Sequence, residues 1–505
     1  MTGRFTVLDL VVLAVYMIGV TALGIRLGRG QKSARDYFVA NQQIPWWAVL
    51  FSVVATETSA LTFISIPGLA YLGDLSFLQI AVGYLLGRIV IASLLLPRYV
   101  DGKLVTAYAM LEQRFGLTTR RFASITFMAT RAFGDSVRVF ATSIPVALII
   151  GPIVPASLVA PLSILILGAF TLVYTYEGGM RAVVWTDVLQ TGVYMLGAAF
   201  AFYLIGRGVD GGWGAILSDA AANGKLRIID TYTGIDRAHT LWAGLIGGAF
   251  LSMASHGADQ LIVQRLLASN NLRDARRALI GSGIAVIVQF AIFLLIGIGL
   301  HAYYRGREFA ASDQIFPTFI IEAMPPGVTG LVVAAILAAA MSTVSGSINS
   351  LSAATTHDIY IPLRKTPDDD RNAFRMGRIF TVFWAIVLIG GALLYRAQGT
   401  PVVVVALSIA SFTYGGLLGG FFLAVLWPRA QQLHALIGMA TGILVMAFVV
   451  FAGRLIDAFP GLAQTLGPFA RIAWPWYVLI GTSITMIVGI TSSFLVPRPR
   501  INLNK

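Results

Sequence analysis

The sequence predicts an all-α polytopic membrane protein, and three observations carry that expectation. Of 505 residues, 57% are hydrophobic and 12% charged, with a mean hydropathy of +0.80, which leaves too little polar surface to cover a soluble fold. About thirteen stretches stay apolar over roughly 20 residues, the length at which a helix crosses ~30 Å of hydrocarbon. Barrel strands, by contrast, would be short and alternating.

The expected spans fall at about 6–25, 46–71, 77–97, 122–149, 156–176, 184–206, 240–264, 278–303, 328–356, 377–395, 401–427, 433–453 and 474–496. The first has no basic flank beyond Arg4 and no small-residue cleavage site, so it reads as a retained helix and not a signal peptide. The second carries Thr56, Glu57, Thr58, Ser59 and Thr62 within two turns, followed by Pro67 and Gly68. A single Ser or Thr in such a helix usually bonds back to its own carbonyls. An acid with four hydroxyls and two helix breakers is different, because unpaired polar groups in hydrocarbon cost several kcal/mol each. The stretch therefore reads as a discontinuous helix lining a site at mid-depth.

Spans two to six and seven to eleven form two groups of five, and an odd-numbered repeat must be inverted relative to its copy. The seventh span opens the second group with another polar interruption, Ser252 to Gln260. The expected divisions are thus an N-terminal helix and inner loop (1–45), a first five-helix repeat (46–206), an outer loop with room for a short helix (207–238), a second, inverted repeat (239–427) and two C-terminal helices with a short tail (428–505).

Charge placement orients the chain. With the N-terminus outside, inner segments hold 23 of the 36 Lys and Arg, Arg265 and Arg120 among them; outer segments hold ten, and Arg88, Arg131 and Arg138 fall within spans. The positive-inside rule then sets the C-terminus in the cytoplasm and makes the net charge of +13 a topology signal, not a nucleic-acid one. The absence of cysteine excludes disulfides and thiol chemistry. Five scattered histidines have no metal-site spacing, and the acidic run from Thr366 to Arg371 reads as a solvated loop. No hydrolase or kinase signature and no catalytic residue stands out, so an enzyme is not expected.

The ninth span contains Ala338-Ala-Ala-Met-Ser-Thr-Val-Ser-Gly-Ser-Ile-Asn349, whose small residues suit close helix packing and whose hydroxyls suit a hard cation. The sixth opens with Gly178-Gly179, read as a tight turn, and places Asp187 and Gln190 on one face; an acid one turn inside the membrane needs a partner. The intramembrane arginines could meet an anionic solute, or could already be paired by Glu57 or Asp135.

The run GGMRAVVWTDVLQ, with AAAMSTVSGSINS, DQLIVQR at Asp259–Arg265, the Asp358-Ile-Tyr360 triplet and Tyr414-Gly-Gly-Leu-Leu-Gly-Gly420, strongly resembles the sodium:solute symporter family over nearly the whole chain. That resemblance implies a leucine-transporter-like core of two inverted five-helix repeats, and sodium-coupled uptake of a small organic solute by alternating access. It places a common sodium site on the carbonyls of Ala55, Thr58 and Ala339 and the hydroxyls of Ser342 and Thr343. Members with a second sodium use positions that map to Asp187, Ser342 and Ser345 and a further hydroxyl where this chain has Gly346, which puts that second ion in question. Solute candidates are Glu57, Ser59, Thr62, Gln79, Gly83, Tyr84, Ser252, Ser255, His256, Ser411 and Tyr414. The Ser59 and Thr62 pair is similar to that of the family's sialic-acid transporters, whereas the aromatic pair of the galactose type is replaced by Ser255-His256.

The expectation is a sodium symporter for a sugar or sugar acid in the bacterial inner membrane, its partners being Na+, the solute and the lipid bilayer, with no nucleic acid and no obligate protein partner. A monocarboxylate or amino-acid symporter is an alternative. Two rivals differ in kind: a proton-coupled permease titrating Asp187 or Glu57, which needs no cage of hydroxyls, and a membrane sensor, which would normally append a signalling domain.

Overall fold

The computed structural model describes residues 6–29, 31, 33–151, 154–310, 312–364, 370–395 and 402–495, with only the backbone of 60, 61, 144, 145, 148, 149 and 402–408. Every named element among them is helical. Helix α1 (Val7–Gly28) begins at a capping box in which Thr6 and Asp9 satisfy each other's first-turn groups. Asp9 is fully buried and also accepts the N–H groups of Gly327 and Gly330, each at 2.7 Å.

The second expected span is broken. Helix α2 (Trp46–Glu57) ends at Thr58, whose φ/ψ of −85°/84° leaves the helical region, and α3 (Ala60–Leu72) restarts after Ser59. The two pieces diverge by 62°. Helix α4 (Leu78–Leu94) follows, then α5 (Leu117–Ile150) and the 53-residue α6 (Ala156–Gly208). At ~1.5 Å per residue α6 is long enough for two crossings, and it kinks at Gly179, where φ is +50°. A Cβ at Gly179 would lie 2.5 Å from the Tyr37 carbonyl, so glycine is needed for conformation and for space. The segment expected as the outer loop carries the short helix Gly212–Ala222 that the sequence allowed.

The seventh expected span is also broken: α7 (Gly248–Gly257) ends at Ala258, and Asp259 caps α8 (Gln260–Leu267) through a 2.9 Å bond from Leu261 N. Then come α9 (Leu272–Tyr303), α10 (Val328–Ala354), α11 (Asp370–Leu394), α12 (Val402–Leu426), α13 (Gln432–Ala458) and α14 (Trp476–Leu495). Eight of the described helices are long and apolar enough to cross a membrane, and the bent α2–α3 pair adds a ninth candidate. Residues 366–369 of the expected acidic loop lie outside the described residues; Asp370, however, starts α11 and accepts the Ala34 N–H at 3.1 Å, so it is a tether and not part of a loop.

Two packed groups result. The broken pair α2/α3 lies against α9, α7 lies against α4, and α4 packs on α9, while α5, α6, α10 and α11 pack on one another; α12, α13 and α14 associate on the flank of α5. Close approach rests on small residues. Gly83 and Gly87 of α4 face the backbone of Gly244 and Ala249 at distances that leave no room for a Cβ. Helix α10 is buried along almost its whole length, which its run of Ala, Ser and Gly permits without bulk.

Candidate functional site

The break at Thr58 and Ser59 is the natural starting point, because an interrupted helix exposes backbone oxygens that a continuous one would consume. Ser59 N–H turns to the Glu57 carbonyl at 3.1 Å instead of the Ala55 carbonyl four residues back. Ala55, Thr58, Ala339, Ser342 and Thr343 are all buried, and α2 packs on α10. Gln289 of α9 donates to Thr58 Oγ1 at 2.6 Å, fixing that hydroxyl at the break. Thr343 Oγ1 donates to the Ala339 carbonyl at 3.1 Å, a bond that leaves its lone pairs available to a cation.

One turn below the break, Asp187 of α6 joins the two groups of helices. Its Oδ1 accepts from Ser342 Oγ at 2.6 Å and its Oδ2 from Ser52 Oγ at 2.5 Å. The partner that an intramembrane acid demands is Arg265 of α8, with Nη2 at 3.2 Å and both side chains fully buried. Arg265 Nε bonds Ser52 Oγ at 2.9 Å and Nη1 the Leu261 carbonyl at 2.7 Å. Ser345 is near in sequence but turns inward along its own helix, donating to the Ser342 carbonyl at 3.0 Å. Sequence reading counted Arg265 as an inner-loop cation; the structure corrects that to a core residue. The signal was present in the lone Asp187 and in the small residue at Gly346.

On the other side of the break, Ser59 caps α3, accepting from Thr62 N at 3.3 Å with its Oγ also 3.3 Å from Thr62 Oγ1. Glu57 forms an ion pair with Arg88 of α4, which also bonds Ser282 Oγ at 2.6 Å. His256 Nε2 stands 3.8 Å from the same Glu57 oxygen, and its Nδ1 meets Ser255 Oγ at 2.8 Å and the Ser252 carbonyl at 3.2 Å. Ser252 Oγ is buried with no hydrogen-bond partner among the described residues. Tyr84 is half-buried on α4.

Three candidates lie in other settings. The Gln79 amide is engaged by the backbone of Ser76, Asp230 and His239, in the loop that covers α4. Tyr414 donates to Asp259 at 2.6 Å and receives from Arg131 at 3.0 Å, within a cluster where Arg131 also pairs with Asp135 and Asp259. Ser411 is buried one turn before Tyr414 on α12. Arg138 pairs with Asp135 at 3.3 Å, and Ser347 of α10 donates to the same acid at 2.6 Å. All three arginines placed within spans by the sequence are therefore neutralised by acids. Arg120, taken from the sequence as an inner-loop cation, is half-buried with Nε 2.7 Å from Asp358, which also accepts from Thr106 at 2.5 Å and Ser124 at 2.9 Å.

Known proteins are similar to this chain over nearly its whole length. The sodium/sialic acid symporter NanT of Aliivibrio fischeri is 32% identical over 92% of this chain and 91% of its own length. The sodium/sialic acid symporter SiaT of Proteus mirabilis is 28% identical over 99% and 98%. A solved structure of a Na+-coupled sialic acid symporter, substrate-bound and outward-open, superposes with a TM-score of 0.84 at 27% identity, covering 98% of this chain and 99% of that one. Residues 37–442 match the family as a whole, and the chain belongs to the sodium:solute symporter family.

Proposed function

We propose that the protein is a sodium-coupled symporter that imports a sialic-acid-type sugar acid by alternating access. The observation that carries this reading is the break between α2 and α3. It sets freed carbonyls and the α10 hydroxyls on one side, and a capped helix N-terminus with two hydroxyls on the other. Sodium binds at Ala55, Thr58, Ala339, Ser342 and Thr343, where neutral oxygens suit a hard cation. The solute carboxylate meets Ser59 and Thr62 at the start of α3, where the helix dipole and unpaired N–H groups favour an anion. Glu57, Ser252, Ser255, His256 and Tyr84 line the solute's polar body. Because Glu57 already neutralises Arg88, the anion is recognised by hydroxyls and dipoles and not by a free guanidinium.

Sodium and solute meet at opposite ends of one break, so each stabilises the conformation the other needs, and the coupling is reciprocal. The chain is an integral membrane protein; thirteen spans, an outer N-terminus, a cytoplasmic C-terminus and repeats at 46–206 and 239–427 complete the proposal. The test is uptake of N-acetylneuraminate into proteoliposomes under an inward sodium gradient, with choline as control. Sodium-dependent accumulation is expected; uptake driven equally well by a proton gradient without sodium would favour a proton-coupled permease.

A further inference from the structure

We infer that the guanidinium of Arg265 is a built-in cation that takes the place of a second sodium ion beside Asp187, so that each transport cycle couples to one sodium. The inference rests on the sodium-coupled reading above. The carboxylate of Asp187 is fully buried, and each of its oxygens is already served by protein donors: Ser342 on Oδ1, Ser52 and Arg265 on Oδ2. The guanidinium is fixed in turn by Ser52 Oγ and the Leu261 carbonyl. The charge is balanced one to one.

What lets Arg265 enter is Gly346. A Cβ at that position would lie 2.4 Å from Arg265 Nη2 and 3.0 Å from Nη1. The contact is with the end of a long side chain, but that end is held by three different groups whose bonds a shift would disturb. Any side chain at 346, including a serine hydroxyl that could ligate a cation, competes with the guanidinium for the same space. The surroundings of Asp187 fit a second metal ion poorly. Ser342, Ser52 and Ser345 keep their lone pairs, but the guanidinium already occupies Oδ2 of Asp187 and the Ser52 oxygen, and a sodium ion here would sit against a like charge. A tethered cation also cannot leave. It links α2 and α8 to α6 and α10 on the side of the break nearer Trp46, without a concentration dependence of its own.

The test is a sodium titration of the thermal unfolding of the purified full-length protein, with choline holding ionic strength constant. A ligand that binds only the folded state stabilises by mass action, and above its dissociation constant the stabilisation rises with ln[Na+] in proportion to the number of ions bound. The wild-type protein is expected to give a slope of one ion. The variant Arg265→Ala/Gly346→Ser, which removes the tethered charge and supplies a hydroxyl, is expected to give two, falling back to one when Asp187→Asn is added. A wild-type slope of two overturns the inference, and so does a doubly substituted protein that folds and still gives one. If the double variant does not fold, the wild-type slope decides alone. A wild-type slope of zero overturns sodium coupling itself and the inference with it, an outcome distinct from a slope of two.

Discussion

Arg265 Nη2 lies 3.2 Å from Asp187 Oδ2, and neither side chain has any exposed surface. The pair bridges α8, which follows the break in the seventh expected span, to α6. Breaking a buried pair by removing one partner strands a charge at a cost of about 3–5 kcal/mol, whereas removing both partners does not. Asp187→Asn and Arg265→Gln should each lower the melting temperature and cut transport at least tenfold. The double variant should be more stable than the two losses added together, with an interaction energy of about 0.5–3 kcal/mol. Thermal melts of the four proteins measure this directly, and simple additivity would show that the two groups are not coupled.

Thr343→Ala removes a hydroxyl proposed for sodium while leaving α10 intact. Its one side-chain hydrogen bond among the described residues, to the Ala339 carbonyl within the same helix, contributes about 1 kcal/mol. Melting in choline should therefore change little, while the sodium concentration for half-maximal uptake should rise tenfold or more. Unchanged sodium dependence would remove Thr343 from the site.

Much of this was legible in the sequence because a membrane limits what polar residues can do. Thr56 to Thr62 and Ser252 to Gln260 announced two interrupted helices, and the structure breaks the chain at Thr58 and Ala258. Gly178-Gly179 announced a turn, realised as a kink at Gly179. Pairing was less legible. Composition says that Asp187 needs a cation, but which of several arginines reaches it depends on where α8 lies in three dimensions, and positive-inside counting sent Arg265 and Arg120 to loops. Asp9 escaped notice because a lone acid in an N-terminal turn reads as a cap; its second role, accepting from Gly327 and Gly330, spans more than 300 residues of sequence.

Asp74, in the loop between α3 and α4, supplies a pH dependence outside the membrane. Burial pushes its carboxyl up, but hydrogen bonds from Ser76 and the Arg227 guanidinium outweigh that and hold it below the ordinary aspartate value of 3.8. A depressed acid contributes stability that is present above its unfolded pKa, about 3.9, and is lost as pH falls through the folded value. The wild-type protein should melt above Asp74→Asn by a constant margin near neutral pH, and the margin should close below about pH 4. Melting curves from pH 3 to 7 test this; a margin that persists at the acid end would mean that the contribution of Asp74 does not depend on its charge.

Ser59 has two proposed duties, capping α3 and meeting the solute, and two substitutions separate them. Replacing a capping serine by alanine costs about 1 kcal/mol of helix stability, whereas glycine costs only a few tenths. Losing a hydrogen bond to a charged group costs about 1.5–3 kcal/mol, or roughly 10- to 150-fold in affinity, whichever residue replaces the serine. If Ser59 only caps, Ser59→Gly should bind N-acetylneuraminate almost normally and Ser59→Ala should be the weaker. If it also holds the carboxylate, both variants should lose affinity to a similar degree while only Ser59→Ala loses melting temperature in the absence of solute. We expect the second pattern, because the Ser59 and Thr62 hydroxyls stand 3.3 Å apart at the N-terminus of α3, close enough to engage one carboxylate together. Titration calorimetry of the two variants against N-acetylneuraminate in saturating sodium distinguishes the patterns, and a glycine variant of normal affinity would place the carboxylate elsewhere in the site.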